Sequence, residues 1–336
     1  MSPREYDESD ARIRPSRTTR RRSKDRPVHA HSKTAFVTTV DRGRTTCVTD
    51  DGIVITAMKA RELGPKSVVV GDYVEVVGDL SGVEGSLARI VTVNERKNSL
   101  SRTVDDAARV ERTIVANIDQ LMIVVAATNP EPRRGLIDRF LVSAFHESIA
   151  PIILVTKVDL SPMPDFFREY RALGVEIITT SSKLESRKEE IATIKSLLRG
   201  KISVLVGHSG VGKSTLINDL VDSADRATGD VNDVTGRGRH TSSSALALPL
   251  TEGGWIIDTP GIRAFGLSHL DKNRIIEAFP DIYQVTQSCM PHCSHHEVSC
   301  ALNAWVESDL AAREERLIRV TSLQSLLEVK PVDEQR

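Results

Sequence analysis

Between Lys33 and about Arg112, short β-branched apolar runs alternate with tight turn signals. TAFVTTV, RTTCVT, GIVITA, VVVGDYVEVV and LARIVTV are punctuated by Asp-Arg-Gly, Asp-Asp-Gly and Leu-Ser-Gly. Val, Ile and Thr suit a pleated surface, and Gly and Asp supply the turn conformations, so each run predicts a strand. Five strands in about 80 residues, with no helical period between them, predict a small closed all-β barrel of the OB type over residues 33–113. Such barrels often bind oligonucleotides, but the fold alone assigns no function. This stretch carries twelve Lys/Arg against twelve Asp/Glu, so no strong field marks a nucleic-acid face.

From Asn117 the pattern becomes strand–helix alternation. LMIVVAA, PIILVT, VEIIT and KISVLV are near-continuous apolar runs, as expected of parallel strands covered on both faces. GLIDRFLVSAFHE, DFFREYRALG and ESRKEEIATIKSLLRG between them read as helices, the last capped by Gly200. Residues 114–266 therefore predict an α/β nucleotide-binding domain. Residues 267–336 form a third unit, with a Cys/His cluster followed by a long amphipathic helix or helix pair, ALNAWVESDLAAREERLIRVTSLQSLLEV. No internal repeat is visible.

Composition is that of a soluble globular chain, with 40% hydrophobic and 27% charged residues. The longest apolar runs fall far short of the roughly 20 residues that span a bilayer. No apolar segment follows the first basic residues, so neither a secretory signal nor a membrane span is expected, and the expected location is cytoplasmic. The net charge of −1 hides an asymmetry. Residues 1–32 hold nine Lys/Arg against five Asp/Glu, and the rest of the chain is net −5. RIRPSRTTRRRSKDR has almost nothing to bury and predicts a disordered basic arm, either a solvated tail or a contact for phosphate backbones. Of four cysteines, Cys47 sits in an alternating apolar segment and reads as a small buried hydrophobe.

The strongest local motif is Gly207-His208-Ser209-Gly210-Val211-Gly212-Lys213-Ser214, which follows the strand KISVLV and fits G-x-x-x-x-G-K-[ST]. Glycines let successive N–H groups turn inward around phosphates, and the helix that follows presents its positive end. Lys213 is placed for the β/γ-phosphates and the Ser214 hydroxyl for Mg²⁺, with Thr215 completing the phosphate side. Thr156-Lys157-Val158-Asp159 follows the strand PIILV, where a guanine-reading loop belongs. The Asp159 carboxylate can accept from both N1–H and N2–H₂ of guanine, whereas adenine offers no such donor pair. Ser181-Ser182-Lys183, after VEIIT, resembles the shorter loop that buttresses that base. The substrate read from these residues is GTP.

Asp258-Thr-Pro-Gly261 ends the strand GWIID, with Asp258 placed to hold Mg²⁺ through water and Gly261 to sense the γ-phosphate. The polar segment Gly236 to Ser244 carries Thr241, the candidate switch threonine and a Mg²⁺ ligand with Ser214. The order of these motifs is unusual: the base-reading loop comes first and D-x-x-G last. That is a circular permutation, and it sends the chain from the second switch directly into the Cys/His unit.

With VVVGDYVEV, ANIDQ, LIDRFL, GRHT and DTPG in this permuted order, the chain over about residues 33–330 resembles the ribosome-small-subunit-dependent GTPase A family (RsgA/YjeQ). The resemblance implies an OB-fold domain, a circularly permuted P-loop GTPase domain and a C-terminal helical zinc domain that dock together on the small ribosomal subunit late in its maturation. Two departures stand out: Thr-Ser-Ser after His240 where consecutive threonines are expected, and a metal cluster of shorter spacing. Ile262 follows Gly261 where many GTPases carry a water-orienting glutamine, so intrinsic turnover should be slow. The resemblance makes His240, beside Thr241, the candidate replacement, with His240, Thr241 and Lys213 as the catalytic set.

Cys289-x₃-Cys293-x-His295-x₄-Cys300 offers three thiolates and one imidazole, the donor set of a closed structural zinc site. His292 and His296 lie in the same loop and are rivals for the imidazole. The family's ligand order favours His295. The reading is thus a GTP hydrolase, with one structural zinc and Mg²⁺ with GTP, that acts as a monomer on the small subunit, its 16S rRNA and proteins. Two alternatives are an OB/zinc nucleic-acid-binding module with a regulatory nucleotide site, and a permuted GTPase of the large subunit.

Overall fold

The computed structural model describes residues 31–41, 43–64, 67–105, 110–181, 184–221, 245–259 and 271–329. The five expected N-terminal strands form β1 (Lys33–Asp41), β2 (Arg44–Thr49), β3 (Val54–Lys59), β4 (Tyr73–Gly78) and β5 (Ala88–Val93). β1–β2, β2–β3 and β4–β5 pair antiparallel, β3–β5 parallel, and β1–β4 closes the barrel. Alternate residues point inward, so Val37, Cys47, Ile55, Val74, Val76 and Ile90 make its core. Cys47 is fully buried, and burial pushes its thiol up to about 12, which makes it an inert packing group.

The run VVVGDYVEVV is only half a strand. Val68, Val69 and Val70 are buried but precede β4, because Gly71-Asp72 turns the chain. Asp72 is fully buried: its Oδ2 accepts from the Val69 N–H at 2.8 Å, and Arg96 grips both oxygens at 2.6 and 2.8 Å. Gly71 has φ +89°, and a Cβ there would lie 2.2 Å from the Ala116 carbonyl oxygen. That approach brings the barrel onto a hairpin the sequence reading missed, β6 (Ser99–Asp105) and β7 (Val110–Ala116). Asn117 seals the junction by donating to the Gly71 carbonyl at 2.9 Å and accepting from the Lys97 N–H at 3.0 Å.

The α/β layer contains β8 (Gln120–Ala126), β9 (Ala150–Thr156), β10 (Glu176–Thr180), β11 (Ile202–Val206), β12 (Leu246–Pro249) and β13 (Trp255–Asp258). Their order is β10-β9-β8-β11-β13-β12; the first five are parallel and β12 is antiparallel. β12 also pairs with β1 through Thr39 and Leu246, so one sheet of eleven strands continues into the barrel. Both faces are covered, as the near-continuous apolar strands require. Leu121, Ile123 and Val125 face α1 (Arg134–His146) and α2 (Phe167–Ala172). Met122, Val124 and Leu205 face α3 (Leu184–Leu198) and α4 (Lys213–Leu220).

The C-terminal helices are α5 (Lys272–Glu277), α6 (Pro280–Thr286), α7 (Ala301–Glu307) and α8 (Arg313–Leu327). Of the two readings of the final amphipathic stretch, the pair is the one that forms. Asp309 Oδ1 accepts from the Ala311 and Ala312 N–H groups at 3.1 and 3.3 Å and so ends one helix and starts the next. These helices share the core of the α1 face: Phe279 meets Phe145 edge-on at 4.8 Å, and Arg319 of α8 bonds Asp281 and the Ala172 carbonyl. Among the described residues, no helix is long and apolar enough to cross a membrane.

Candidate functional site

The phosphate loop leaves β11 through Gly207, whose φ is +148° and whose Cβ, were there one, would lie 2.2 Å from the Val124 carbonyl oxygen. Gly210 and Gly212 follow with φ of +82° and +99°, and α4 begins at Lys213. Positive φ favours glycine at all three positions, and at Gly207 a side chain also has no room. The Lys213 ammonium arches back over the loop, donating to the Gly207 and His208 carbonyls at 2.6 and 3.0 Å. His208 Nδ1 lies 2.9 Å from the Ser209 carbonyl oxygen. Ser214 and Thr215 are exposed at the first turn of α4, and Val211 is buried beneath the loop.

Asp258 ends β13, in register with Leu205 of β11. Burial pushes its pKa up, while Lys213 works the other way. For Lys213 burial is again the larger influence and lowers the pKa, with Asp258 opposing it. Each group thus partly compensates the other's desolvation. The Thr259 hydroxyl donates to the Leu205 carbonyl at 2.8 Å and ties the residue after Asp258 to β11.

The loop expected to read the base lies against the glycine-rich loop. Thr156, at the end of β9, donates its hydroxyl to the Val211 carbonyl at 2.7 Å, with the Val125 carbonyl oxygen 3.2 Å away. Lys157 takes φ +61° and sends its ammonium to the Gly210 carbonyl at 2.9 Å and to the Asn129 carbonyl. Val158 donates to the Thr180 carbonyl at 3.5 Å, and Asp159 is half-buried. Ser181 is buried at the end of β10. Two contributors have no motif to announce them: the Asn129-Pro130 turn after β8, and Arg187 of α3, which donates to the Ser181 carbonyl at 2.7 Å. Ser182, Lys183, His240, Thr241 and Gly261 lie outside the described residues.

The four Cys/His ligand atoms converge in the loop between α6 and α7, all within 4.8 Å of one another. Cys289 Sγ lies 3.7 Å from both Cys300 Sγ and His295 Nδ1, and Cys300 Sγ lies 3.8 Å from that nitrogen. Tetrahedral zinc with bonds of about 2.3 Å to sulfur would give ligand–ligand edges near these values. His295 holds φ +66°, and its carbonyl accepts from Gln324 of α8 at 2.5 Å. His296 Nε2 is instead 3.7 Å from Glu328 Oε1, and His292 stands outside the group. The cluster can hold a metal ion, and its thiolate-rich donor set suits a soft one.

Comparison with known proteins agrees with this arrangement. The family model described as RsgA GTPase matches residues 93–268. A curated relative from Chlorobaculum tepidum, named small ribosomal subunit biogenesis GTPase RsgA, is 36% identical over 274 residues, covering 79% of this chain and 87% of the relative. One of the same name from Shewanella oneidensis is 37% identical over 270 residues, 77% of this chain and 74% of the relative. The crystal structure of YjeQ from Thermotoga maritima superposes with a TM-score of 0.60 at 27% identity, covering 89% of this chain and all of that one (100%). YloQ, described as a circularly permuted GTPase, gives 0.61 at 25% identity, covering 92% and 99%. Base-side loop, phosphate loop and metal cluster thus occur in one permuted framework, and the chain belongs to the RsgA GTPase family.

Proposed function

We propose that this GTPase acts in the biogenesis of the small ribosomal subunit, as the curated names of its relatives state for them. The observation that supports the reading is the contact of Thr156 and Lys157 with the carbonyls of Val211 and Gly210, which brings the loop after β9 against the loop after β11. Asp159 reads the guanine edge, and Ser181, Ser182 and Lys183 buttress the ring. Lys213 exchanges its bonds to the Gly207 and His208 carbonyls for phosphate oxygens, lined by Gly207 to Thr215. Ser214, Thr241 and, through water, Asp258 would hold Mg²⁺, which supplies charge neutralisation to the phosphates when bound. Gly261 senses the γ-phosphate, and His240 stands in for the missing glutamine.

The metal is one zinc ion held by Cys289, Cys293, His295 and Cys300, with a structural role because four protein ligands leave no open position. The working division is a basic arm at 1–32, a barrel at 33–113, the GTPase domain at 114–266 and the zinc domain at 267–336, acting as a cytoplasmic monomer. Barrel, zinc domain and arm are the surfaces for the subunit's RNA and proteins. The test is GTP turnover with and without purified small subunits. Slow turnover alone, raised by about 10³–10⁵ with the subunit, is the expected pattern. Equal stimulation by large subunits or by naked DNA would overturn it.

A further inference from the structure

Ser181 directly follows β10, and α3 holds all of its polar atoms. Its N–H donates to Glu190 Oε2 at 2.8 Å, the same oxygen that takes the Thr180 hydroxyl at 2.9 Å. Its hydroxyl lies 2.8 Å from Ser186 Oγ, and its carbonyl accepts from Arg187 Nη1 at 2.7 Å. The other edge of that guanidinium reaches a different element. Arg187 Nε donates to Asp219 Oδ2 at 2.9 Å, and Nη2 joins the same oxygen. Asp219 lies on α4, the helix that starts at Lys213.

We propose that Arg187 is a positioning residue that fixes the spacing between the base-reading and phosphate-holding halves of the site, and thereby sets discrimination for guanine. The proposal rests on the guanine reading above. Thr180 pairs in register with Thr156, and the Thr180 carbonyl accepts from Val158, so a shift at Ser181 passes directly to the segment ending in Asp159. The Arg187 and Asp219 side chains are only 19% and 32% exposed, so solvent screens this link less than a surface ion pair. A planar guanidinium can serve a carbonyl and a carboxylate at once, whereas a lysine ammonium at the same place would have to favour one. Reading guanine depends on placement, since an amino group held out of reach of a carboxylate contributes nothing to selectivity.

The experiment compares GDP with IDP, which lacks the 2-amino group, and with tripolyphosphate, by calorimetric titration of the full chain. In Arg187→Ala the GDP Kd should rise about tenfold while the IDP Kd rises less, so the preference contracts. Tripolyphosphate binding should stay unchanged because the loop around Lys213 is intact. Arg187→Lys should not restore the preference, and Asp219→Asn should contract it partially. If Arg187→Ala does not fold, Asp219→Asn carries the same test. An unchanged GDP/IDP ratio overturns the proposal, and so does equal weakening of all three ligands, which would report a purely structural role. Wild-type protein that fails to prefer GDP over IDP and ADP would instead sink the guanine reading on which the proposal rests.

Discussion

The Thr156 hydroxyl donates to the Val211 carbonyl at 2.7 Å, across 55 residues of chain. Sheet order produces the contact: β9 and β11 flank β8, so the loops at their carboxyl ends meet whatever the order of the motifs along the chain. Permutation therefore leaves the site's geometry intact and changes only what is attached to it. Thr156→Val keeps the shape and leaves the Val211 carbonyl without this donor. A loss of about 1–3 kcal/mol in urea unfolding, together with weaker GDP binding, is expected. Thr156→Ser should restore both, and equal behaviour of Val and Ser would show that the bond contributes nothing.

Two glycines of positive φ separate steric demand from backbone preference. At Gly207 an added Cβ would meet the Val124 carbonyl oxygen at 2.2 Å, whereas at Gly200, with φ +67°, it meets nothing within 4 Å. Gly200→Ala should cost about 1 kcal/mol, and Gly207→Ala about 3 kcal/mol or more with loss of nucleotide binding. Thermal melts and GDP titration of the two variants check this, and similar effects at both sites would be contrary to it.

Where side-chain period governs structure, the sequence was readable. The barrel strands alternate, β8 and β11 are buried throughout and apolar except at Gln120 and Ser203, and the glycine–lysine motif sits where a strand hands over to a helix. The hairpin of β6 and β7 escaped because SLSRTVD and VERTIVA mix charges with short apolar stretches, and Leu100 and Val115 are buried by tertiary contacts. β12 escaped because LALP is four residues long, ends in proline and depends on β13 and β1 for its partners. Arg187 has no local signature at all, since its two acceptors lie 6 and 32 residues away in opposite directions.

Asp138 of α1 accepts from the Tyr170 hydroxyl of α2 at 2.7 Å. Burial raises its pKa above the ordinary 3.8, with the Tyr170 bond and Arg134 opposing. The folded state therefore holds this proton more tightly than the unfolded chain. Stability from the group is fully present below about pH 3.8 and is lost as pH rises through the folded pKa. Asp138→Asn keeps an acceptor for Tyr170 and removes the titration. Urea midpoints measured from pH 4 to 7 should show wild type losing ground to the variant, and parallel curves would refute this.

The metal cluster is joined to the rest of the chain through α8, because Gln324 holds the His295 carbonyl and Arg319 reaches the end of α2. A metal ion bound here would contribute to folding of the C-terminal helices. Cys293→Ala, or treatment with a strong chelator, should remove one equivalent of zinc by native mass spectrometry and lower the melting temperature. GDP affinity should change little, since no ligand of the cluster touches Lys157 or Lys213. Wild-type protein purified without chelator that carries no zinc would contradict the assignment.

The barrel is joined through β12 to the strand that ends in Asp258. Leu246 of β12 pairs with Asp258 on one side and with Thr39 of β1 on the other. Beneath this seam Phe36 of β1 stacks on Trp255 of β13, with centroids 4.7 Å apart and planes 26° from parallel. The strand that ends in Asp258 therefore begins against a buried barrel residue, and a change at either end is felt across a ladder only three strands wide. Phe36→Ala removes the stack and should cost about 3–5 kcal/mol, the usual range for a buried phenylalanine. Trp255 reports on it directly. Trp305 is the other tryptophan, so a Trp305→Phe background isolates the signal. In that background Phe36→Ala should shift emission to the red as water reaches the indole. It should also reduce turnover stimulated by small subunits more than it weakens GDP binding, because the phosphate loop is untouched while the barrel loses its hold on β12 and β13. Unshifted emission would show that the seam does not bury Trp255, and undiminished stimulation would show that the barrel's grip on these strands is irrelevant to turnover.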